Sequence, residues 1–203
     1  MNKVAKNAVW IIGIRVVQAV VAMLINMLTA RYLGPSGFGL ITYASSLVAF
    51  VLPIMQLGLS NVLVQEIVNN PNDEGKILGT SITLSFISSI CCIVGVTAFA
   101  FVANPDEPTT ILVCFLYSLI LIFQAFDYVE YWYQAKLMSK YTSMISLVAY
   151  IVVSIYKIFL LVNGKSVYWF AISNALDYVL ISSGGLLLYR KLGGSKLKFS
   201  IET

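Results

Sequence analysis

Residues 77–102 read ILGTSITLSFISSICCIVGVTAFAFV, a run of apolar and small polar residues without one charged side chain. A helix that crosses a bilayer needs roughly 20 consecutive, mainly apolar residues, and this run is longer than that. A soluble domain seldom contains such a run, because a helix that is apolar on all sides has no face to turn towards water. The run therefore predicts a transmembrane helix.

Five further apolar stretches of comparable length surround this one. They lie at residues 8–30, 38–62, 109–131, 142–162 and 166–189. The whole chain of 203 residues is 59% hydrophobic and only 11% charged, so it has too little polar surface to cover a soluble globule. We therefore predict an all-α, polytopic membrane protein in which residues 1–203 form one domain, a single bundle of six transmembrane helices.

The composition also argues against several classes of function. The chain has no histidine, which is the commonest general base and a common metal ligand. Its three cysteines, Cys91, Cys92 and Cys114, lie inside apolar stretches with a spacing that suits neither a zinc site nor a disulfide framework. We expect no enzymatic activity, no metal site and no cofactor.

The distribution of cations predicts the orientation in the membrane. The segments on the side of the N-terminus hold nine of the 13 Lys and Arg residues: Lys3, Lys6, Lys76, Lys136, Lys140, Arg190, Lys191, Lys196 and Lys198. The opposite side holds only Arg31 and Lys165. Because cytoplasmic loops carry an excess of Lys and Arg, both termini are predicted to be cytoplasmic. The net charge of +4 then reflects topology and attraction to membrane lipids, and we expect no nucleic-acid binding.

Polar side chains recur every three or four residues along several spans, so each set shares one helix face. The residues assigned to these faces are Arg15, Gln18, Asn26, Gln56, Tyr150, Lys157 and Asp177. Serines on such faces commonly pack helices together. An ionisable group in the bilayer, however, costs several kcal/mol unless it faces the bundle interior or a watery cavity. We predict that these faces line a hydrated cavity.

Some charged residues have a structural alternative. Arg15 and Asp127 both lie in the cytoplasmic third of their spans and could pair with each other. Glu130 lies close to the cytoplasmic interface, where solvation explains it, and Lys157 lies near the outer end of its span, within snorkelling distance of the headgroups. The aromatic residues Tyr128, Tyr131, Trp132, Tyr133 and Tyr141 are predicted to anchor the bundle at one interface.

The first loop carries a recognisable motif. Residues 30–39 read ARYLGPSGFG, which resembles the signature of the polysaccharide-transporter branch of the multidrug/oligosaccharidyl-lipid/polysaccharide flippase superfamily. Residues 56–59 (QLGL), 123–125 (FQA) and 133–135 (YQA) add weaker matches. In physical terms, Gly34 and Pro35 can turn the chain sharply, and Gly37 and Gly39 would let the next helix start close to its neighbour.

The resemblance implies a function. Proteins of this transporter branch move an oligosaccharide linked to undecaprenyl pyrophosphate from the cytoplasmic to the outer leaflet of the bacterial inner membrane. The oligosaccharide is used for capsule, exopolysaccharide or O-antigen assembly. The pyrophosphate needs a cation, and Arg15 is the first candidate because guanidinium binds phosphate oxygens bidentately. Lys157 is the second. The resemblance implies no cofactor and does not identify a coupling ion.

This sequence departs from the family pattern in two ways. Family members resemble two six-helix bundles that face each other across a central cavity, so the resemblance implies a half-transporter that pairs with a second six-helix half or a second copy. The predicted inner loop, residues 64–70, lacks the arginines often found there. The alternatives are a truncated, non-transporting remnant or membrane assembly factor, and a cation-coupled drug exporter in which Asp127 or Asp177 carries a proton or sodium ion.

Overall fold

The computed structural model describes residues 3–199, and over these residues the chain is helical without a β-strand. The prediction of an all-α protein is confirmed. The helices are α1 (Lys3–Met55), α2 (Ser60–Asn69), α3 (Glu74–Ala103), α4 (Pro108–Ser118), α5 (Ile120–Gln124), α6 (Val129–Ala135), α7 (Ser139–Val162) and α8 (Val167–Lys191), with a short 3-10 helix, Ala125–Tyr128, between α5 and α6.

Five helical segments are long and apolar enough to cross a membrane. They are Ile11–Met55, Glu74–Ala103, Pro108–Ala135, Ser139–Val162 and Val167–Lys191. The first contains 45 residues, and at about 1.5 Å per residue it is roughly twice as long as the ~30 Å hydrocarbon core is thick. The protein is therefore a multi-pass membrane protein, and its first segment is long enough for two crossings.

Gly34 breaks that long first segment. Its backbone angles, φ 70° and ψ 178°, lie in a region that only glycine adopts readily. Gly34 therefore separates α1 into a first arm, residues 3–33, and a second arm, residues 35–55. This position requires a glycine for its backbone conformation, whatever surrounds it.

The two arms run in opposite directions. The ring of Tyr32, just before the break, lies 6.0 Å from that of Phe170 at the start of α8. Ala44, in the second arm, packs in one cluster with Ala171, also at the start of α8. From there the first arm lies beside α7, where Gln18 hydrogen-bonds to Ser146, whereas the second arm runs on to pack against α5. The chain thus reverses at Gly34, and we call this side the Gly34 end of the bundle.

The structure differs from the sequence prediction after the second arm. The predicted span continued to residue 62, and residues 64–70 were predicted to be a loop. Instead, α1 ends at Met55, a turn with left-handed residues Leu57 (φ 53°) and Gly58 (φ 67°) follows, and residues 60–69 form α2. The turn contains neither proline nor charge, so the apolar pattern runs through it unbroken.

The predicted aromatic belt also differs. Tyr128, Trp132 and Tyr133 are only 3%, 4% and 0% exposed, so they belong to the core rather than to an interfacial belt. The Trp132 ring makes edge contacts with Tyr133 at 5.1 Å and with Tyr189 of α8 at 4.9 Å. These rings pack the ends of α6 and α8 together because aromatic side chains bury large apolar areas.

A buried carboxylate holds several elements together at the opposite side, which we call the Glu74 end. Glu74 is 6% exposed and starts α3. Its Oε2 accepts a hydrogen bond from Trp132 Nε1 (3.0 Å) and lies 3.0 Å from Lys136 Nζ, while its Oε1 accepts from Ser195 Oγ (3.1 Å). A buried charge requires such partners. The carboxylate therefore links α3, α6 and the chain after α8.

The chain after α8 forms a strap, residues 194–199, across α3. The Lys198 N–H donates to the Gly75 carbonyl (3.0 Å), and Tyr189 donates to the Ser195 carbonyl (2.7 Å). A Cβ on Gly75 would lie 2.5 Å from the Lys196 carbonyl oxygen, and a Cβ on Gly79 would overlap Lys198. The two glycines leave the space in which the strap lies.

Candidate functional site

A cleft of about 500 Å³ with many polar side chains lies between several helices. Its walls are the first arm of α1, the 3-10 helix with α6, and the helices α7 and α8. We call it the central cleft. Its polar and charged lining consists of Arg15, Gln18, Asp127, Glu130, Tyr133, Thr142, Ser143, Ser146, Tyr150, Asp177, Tyr178 and Ser182. Four of the seven residues predicted to line a cavity, Arg15, Gln18, Tyr150 and Asp177, meet here.

Arg15 is an exposed residue on the first arm of α1 and a wall of the central cleft. Both it and Asp127 lie among the described residues, yet no ion pair joins them. Ion pairs lie elsewhere, between Lys76 and Asp73 and between Lys136 and Glu74. The guanidinium of Arg15 is therefore available to a ligand in the cleft.

The cleft contains more negative than positive side chains. Among the described lining residues, three carboxylates, those of Asp127, Glu130 and Asp177, stand against one cation, Arg15. Asp127 Oδ1 accepts a hydrogen bond from Ser182 Oγ at 3.0 Å. Asp177 Oδ1 is buried and has no hydrogen-bond partner among the described residues. An unpaired buried acceptor is costly, so the cleft contains groups that a ligand or an ion can satisfy.

Uncharged groups supply the remaining polarity. Gln18 Nε2 donates to Ser146 Oγ at 3.4 Å and so connects α1 to α7 across the cleft. Tyr133 donates to the Gly185 carbonyl at 2.9 Å, which connects α6 to α8. These two hydrogen bonds fix neighbouring helices around the cleft, and the hydroxyl and amide groups of the lining residues face the same space.

Three of the predicted cavity residues lie elsewhere. Lys157 donates from Nζ to Asn174 Oδ1 at 2.8 Å, between α7 and α8, and does not line the cleft. Asn26 is exposed on the first arm, beyond the cleft. Gln56 lies in the turn after α1, where its backbone carbonyl accepts from Tyr128 at 2.9 Å. The helical spacing placed these residues on polar faces, but it did not show which faces meet.

The glycines of the loop motif have different roles. Gly34 adopts a conformation that requires glycine. A Cβ at Gly37 would lie 3.1 Å from Leu33 Cβ, so Gly37 allows the start of the second arm to lie close to the end of the first. A Cβ at Gly39 would meet nothing within 4 Å, and the expectation that Gly39 brings two helices together is therefore wrong. Pro35 is exposed directly after the break.

Sequence reasoning missed several residues of the cleft and its support. Ser182, Tyr133 and Gly185 take part through contacts between α6 or the 3-10 helix and α8. Helical spacing gave no signal for them, because these contacts join different helices. Glu74 was missed because its partners, Trp132 and Ser195, are 58 and 121 positions away.

The comparison with known families is decisive for this chain. A family profile described as polysaccharide biosynthesis protein matches residues 4–203. The chain belongs to that family. No curated protein and no solved structure gives a significant match.

Membership confirms the resemblance seen in the first loop, since the polysaccharide biosynthesis family contains the polysaccharide flippases. It also assigns this multi-pass membrane protein to the synthesis or translocation of polysaccharides. The match extends over all eight helices.

Proposed function

We propose that this polysaccharide biosynthesis family member translocates an oligosaccharide linked to undecaprenyl pyrophosphate across the bacterial inner membrane, with both termini in the cytoplasm. It acts as a transporter and not as an enzyme, without a cofactor. The observation that carries the proposal is the central cleft, a space with hydrogen-bonding side chains between the apolar helices, in which Arg15 is the one cation among the described lining residues. A sugar headgroup cannot cross hydrocarbon without such a space.

The roles within the cleft follow from their chemistry. Arg15 binds the pyrophosphate because guanidinium matches phosphate oxygens with two parallel hydrogen bonds. Gln18, Tyr150 and Asp177 offer amide, phenol and carboxylate groups to the sugar hydroxyls. Asn26 and Lys157 lie outside the cleft. We assign them to later contacts with the oligosaccharide along the translocation path rather than to its first binding.

A partner bundle would complete the cleft. Around the first arm, Val16, Val20 and Leu24 are exposed and suited to lipid, whereas Arg15 and Asn26 are exposed on another side. A charge cannot face hydrocarbon without a cost of several kcal/mol. We therefore propose that a second six-helix half or a second copy covers the side with Arg15, and that rocking between the bundles gives alternating access.

Complementation of a flippase-deficient strain tests the proposal, with the chain expressed alone and together with a second-half polypeptide. We expect Arg15→Lys to retain part of the export because the charge remains, and Arg15→Ala to reduce it by roughly 10- to 100-fold at unchanged membrane abundance. Arg31→Ala is the matched control, since Arg31 lies outside the cleft. Full export by a well-expressed Arg15→Ala variant would contradict the role of Arg15.

Cation-coupled drug export is a second candidate, favoured by the excess of carboxylates in the cleft. Under this function, cells that express the chain are more resistant to ethidium, and Asp177→Asn removes that resistance. Neither the unsubstituted chain nor the variant then restores glycan export. The absence of both activities, with and without the second half, would identify a remnant or an assembly factor.

A further inference from the structure

A second hollow lies at the Gly34 end, with no lining residue in common with the central cleft. It has a volume of about 730 Å³ and lies between the start of the second arm of α1, the loop before α4 and the start of α8. We call it the Gly39 groove. Its walls include Gly39, Tyr43, Asn104, Asp106, Glu107 and Thr110.

Gly39 opens this groove and has no other structural reason to be glycine. It is helical and does not adopt a positive φ, so its backbone would accept any side chain. A Cβ there would meet nothing within 4 Å, so no close packing requires its absence. Glycine inside a helix costs about 0.5–1 kcal/mol relative to alanine. The missing side chain leaves the groove open.

The polar groups of the groove are held in place. Thr110, itself 5% exposed, donates to Glu107 Oε2 at 2.6 Å. Asn104 Nδ2 donates to the Tyr43 hydroxyl at 3.2 Å, which orients the phenol ring at the wall. The groove thus combines an oriented aromatic ring, an amide, a hydroxyl and two carboxylates.

This chemistry selects the ligand. No Lys or Arg is among the groove's described lining residues, which disfavours phosphate and other anions. The lining has two carboxylates, and no group of three or more metal-ligating side chains occurs within the described part of the chain, which disfavours a metal ion. Sugar hydroxyls donate well to carboxylates, and a sugar ring packs on an aromatic face.

We propose that the Gly39 groove is a second binding site, specific for neutral sugar units. The identity of its natural ligand rests on the proposed function, under which the ligand is the glycan of the translocated lipid after it has passed the central cleft. Binding itself is independent of translocation.

Saturation-transfer NMR on the full chain in lipid nanodiscs tests the site with three neutral probes, N-acetylglucosamine, galactose and rhamnose. We expect saturation of at least one probe. Gly39→Phe should abolish it by filling the groove, and Gly95→Phe should not, because Gly95 is also an exposed helical glycine with nothing within 4 Å and is absent from the groove lining. Glu107→Gln should weaken binding about tenfold without filling the groove.

Several results would overturn the proposal. These are the failure of all three probes to bind, unchanged binding by Gly39→Phe and Glu107→Gln, or binding of Ca²⁺ or inorganic pyrophosphate in place of sugar. Complementation run alongside the binding experiment distinguishes failure of the groove from failure of the proposed function. Sugar binding without export in any arrangement of bundles would contradict only the proposed function, whereas export by an unsubstituted chain that binds none of the three probes would contradict only the groove.

Discussion

At the scale of single residues, adjacent carboxylates differ in how much they stabilise the fold. Asp73 pairs with Lys76 on the surface, with both side chains about half exposed. Glu74 is buried and has three side-chain partners. An exposed ion pair typically contributes ~0–1 kcal/mol, whereas the loss of a charge from a buried, hydrogen-bonded set costs about 1.5–3 kcal/mol.

We therefore predict that Glu74→Gln lowers the free energy of unfolding by about 2 kcal/mol and that Asp73→Asn changes it by less than about 0.5 kcal/mol. Urea or thermal unfolding of the purified protein in detergent measures both. Equal effects of the two substitutions would mean that Glu74 does not stabilise the Glu74 end.

Residue identities predicted which side chains are polar but not which of them meet. Arg15, Gln18, Tyr150 and Asp177 share the cleft because α1, α7 and α8 happen to pack with those faces inward. Lys157 lies two helical turns after Tyr150, on the same face of α7, yet it donates a hydrogen bond to Asn174 and does not line the cleft. Helical periodicity gives the angle around one helix only, and the rotation of each helix against its neighbours comes from packing.

At the scale of helices, the reversal at Gly34 is the most sensitive feature. Its φ and ψ cost a non-glycine residue about 1–3 kcal/mol. We predict that Gly34→Ala destabilises the protein by that amount, whereas Gly39→Ala, in an ordinary helical conformation with open space, is neutral or slightly stabilising. Thermal unfolding compares the two. A neutral Gly34→Ala would show that the break does not need a left-handed residue.

The spans themselves could be predicted well because charge and turn residues mark most of their ends. The turn after α1 could not be predicted, since residues 56–59 carry no charge or proline and the left-handed Leu57 has no sequence signature. The strap was equally hidden. Gly75 and Gly79 resemble the glycines common in membrane helices, and only the structure shows that a peptide lies across them.

At the scale of the whole molecule, the cations are unevenly divided between the two ends. Arg31 and Lys165 flank the Gly34 end, where Tyr32 donates to the Lys165 carbonyl, and the Glu74 end carries Lys76, Lys136 and the basic residues after α8. The positive-inside rule therefore predicts a cytoplasmic Glu74 end.

Cysteine labelling in intact cells tests this orientation after replacement of the three native cysteines. We expect Lys165→Cys at the Gly34 end to react with a membrane-impermeant thiol reagent from outside, and Lys140→Cys at the other end to react only in permeabilised cells. Both positions are exposed, so they form a matched pair. The reverse pattern would invert the membrane orientation and would place the Gly34 end, with the Gly39 groove, in the cytoplasm.

The contact between Glu74 and Ser195 also sets an order of events during synthesis. The two residues are 121 positions apart, so at ~5–20 residues per second the ribosome adds the second roughly 6–24 s after the first. During that interval the carboxylate lacks its Ser195 partner, and the space over Gly75 and Gly79 in which the strap lies is still unfilled. The strap can therefore settle on α3 only after α8 has been synthesised, so the contacts of Glu74 are completed late.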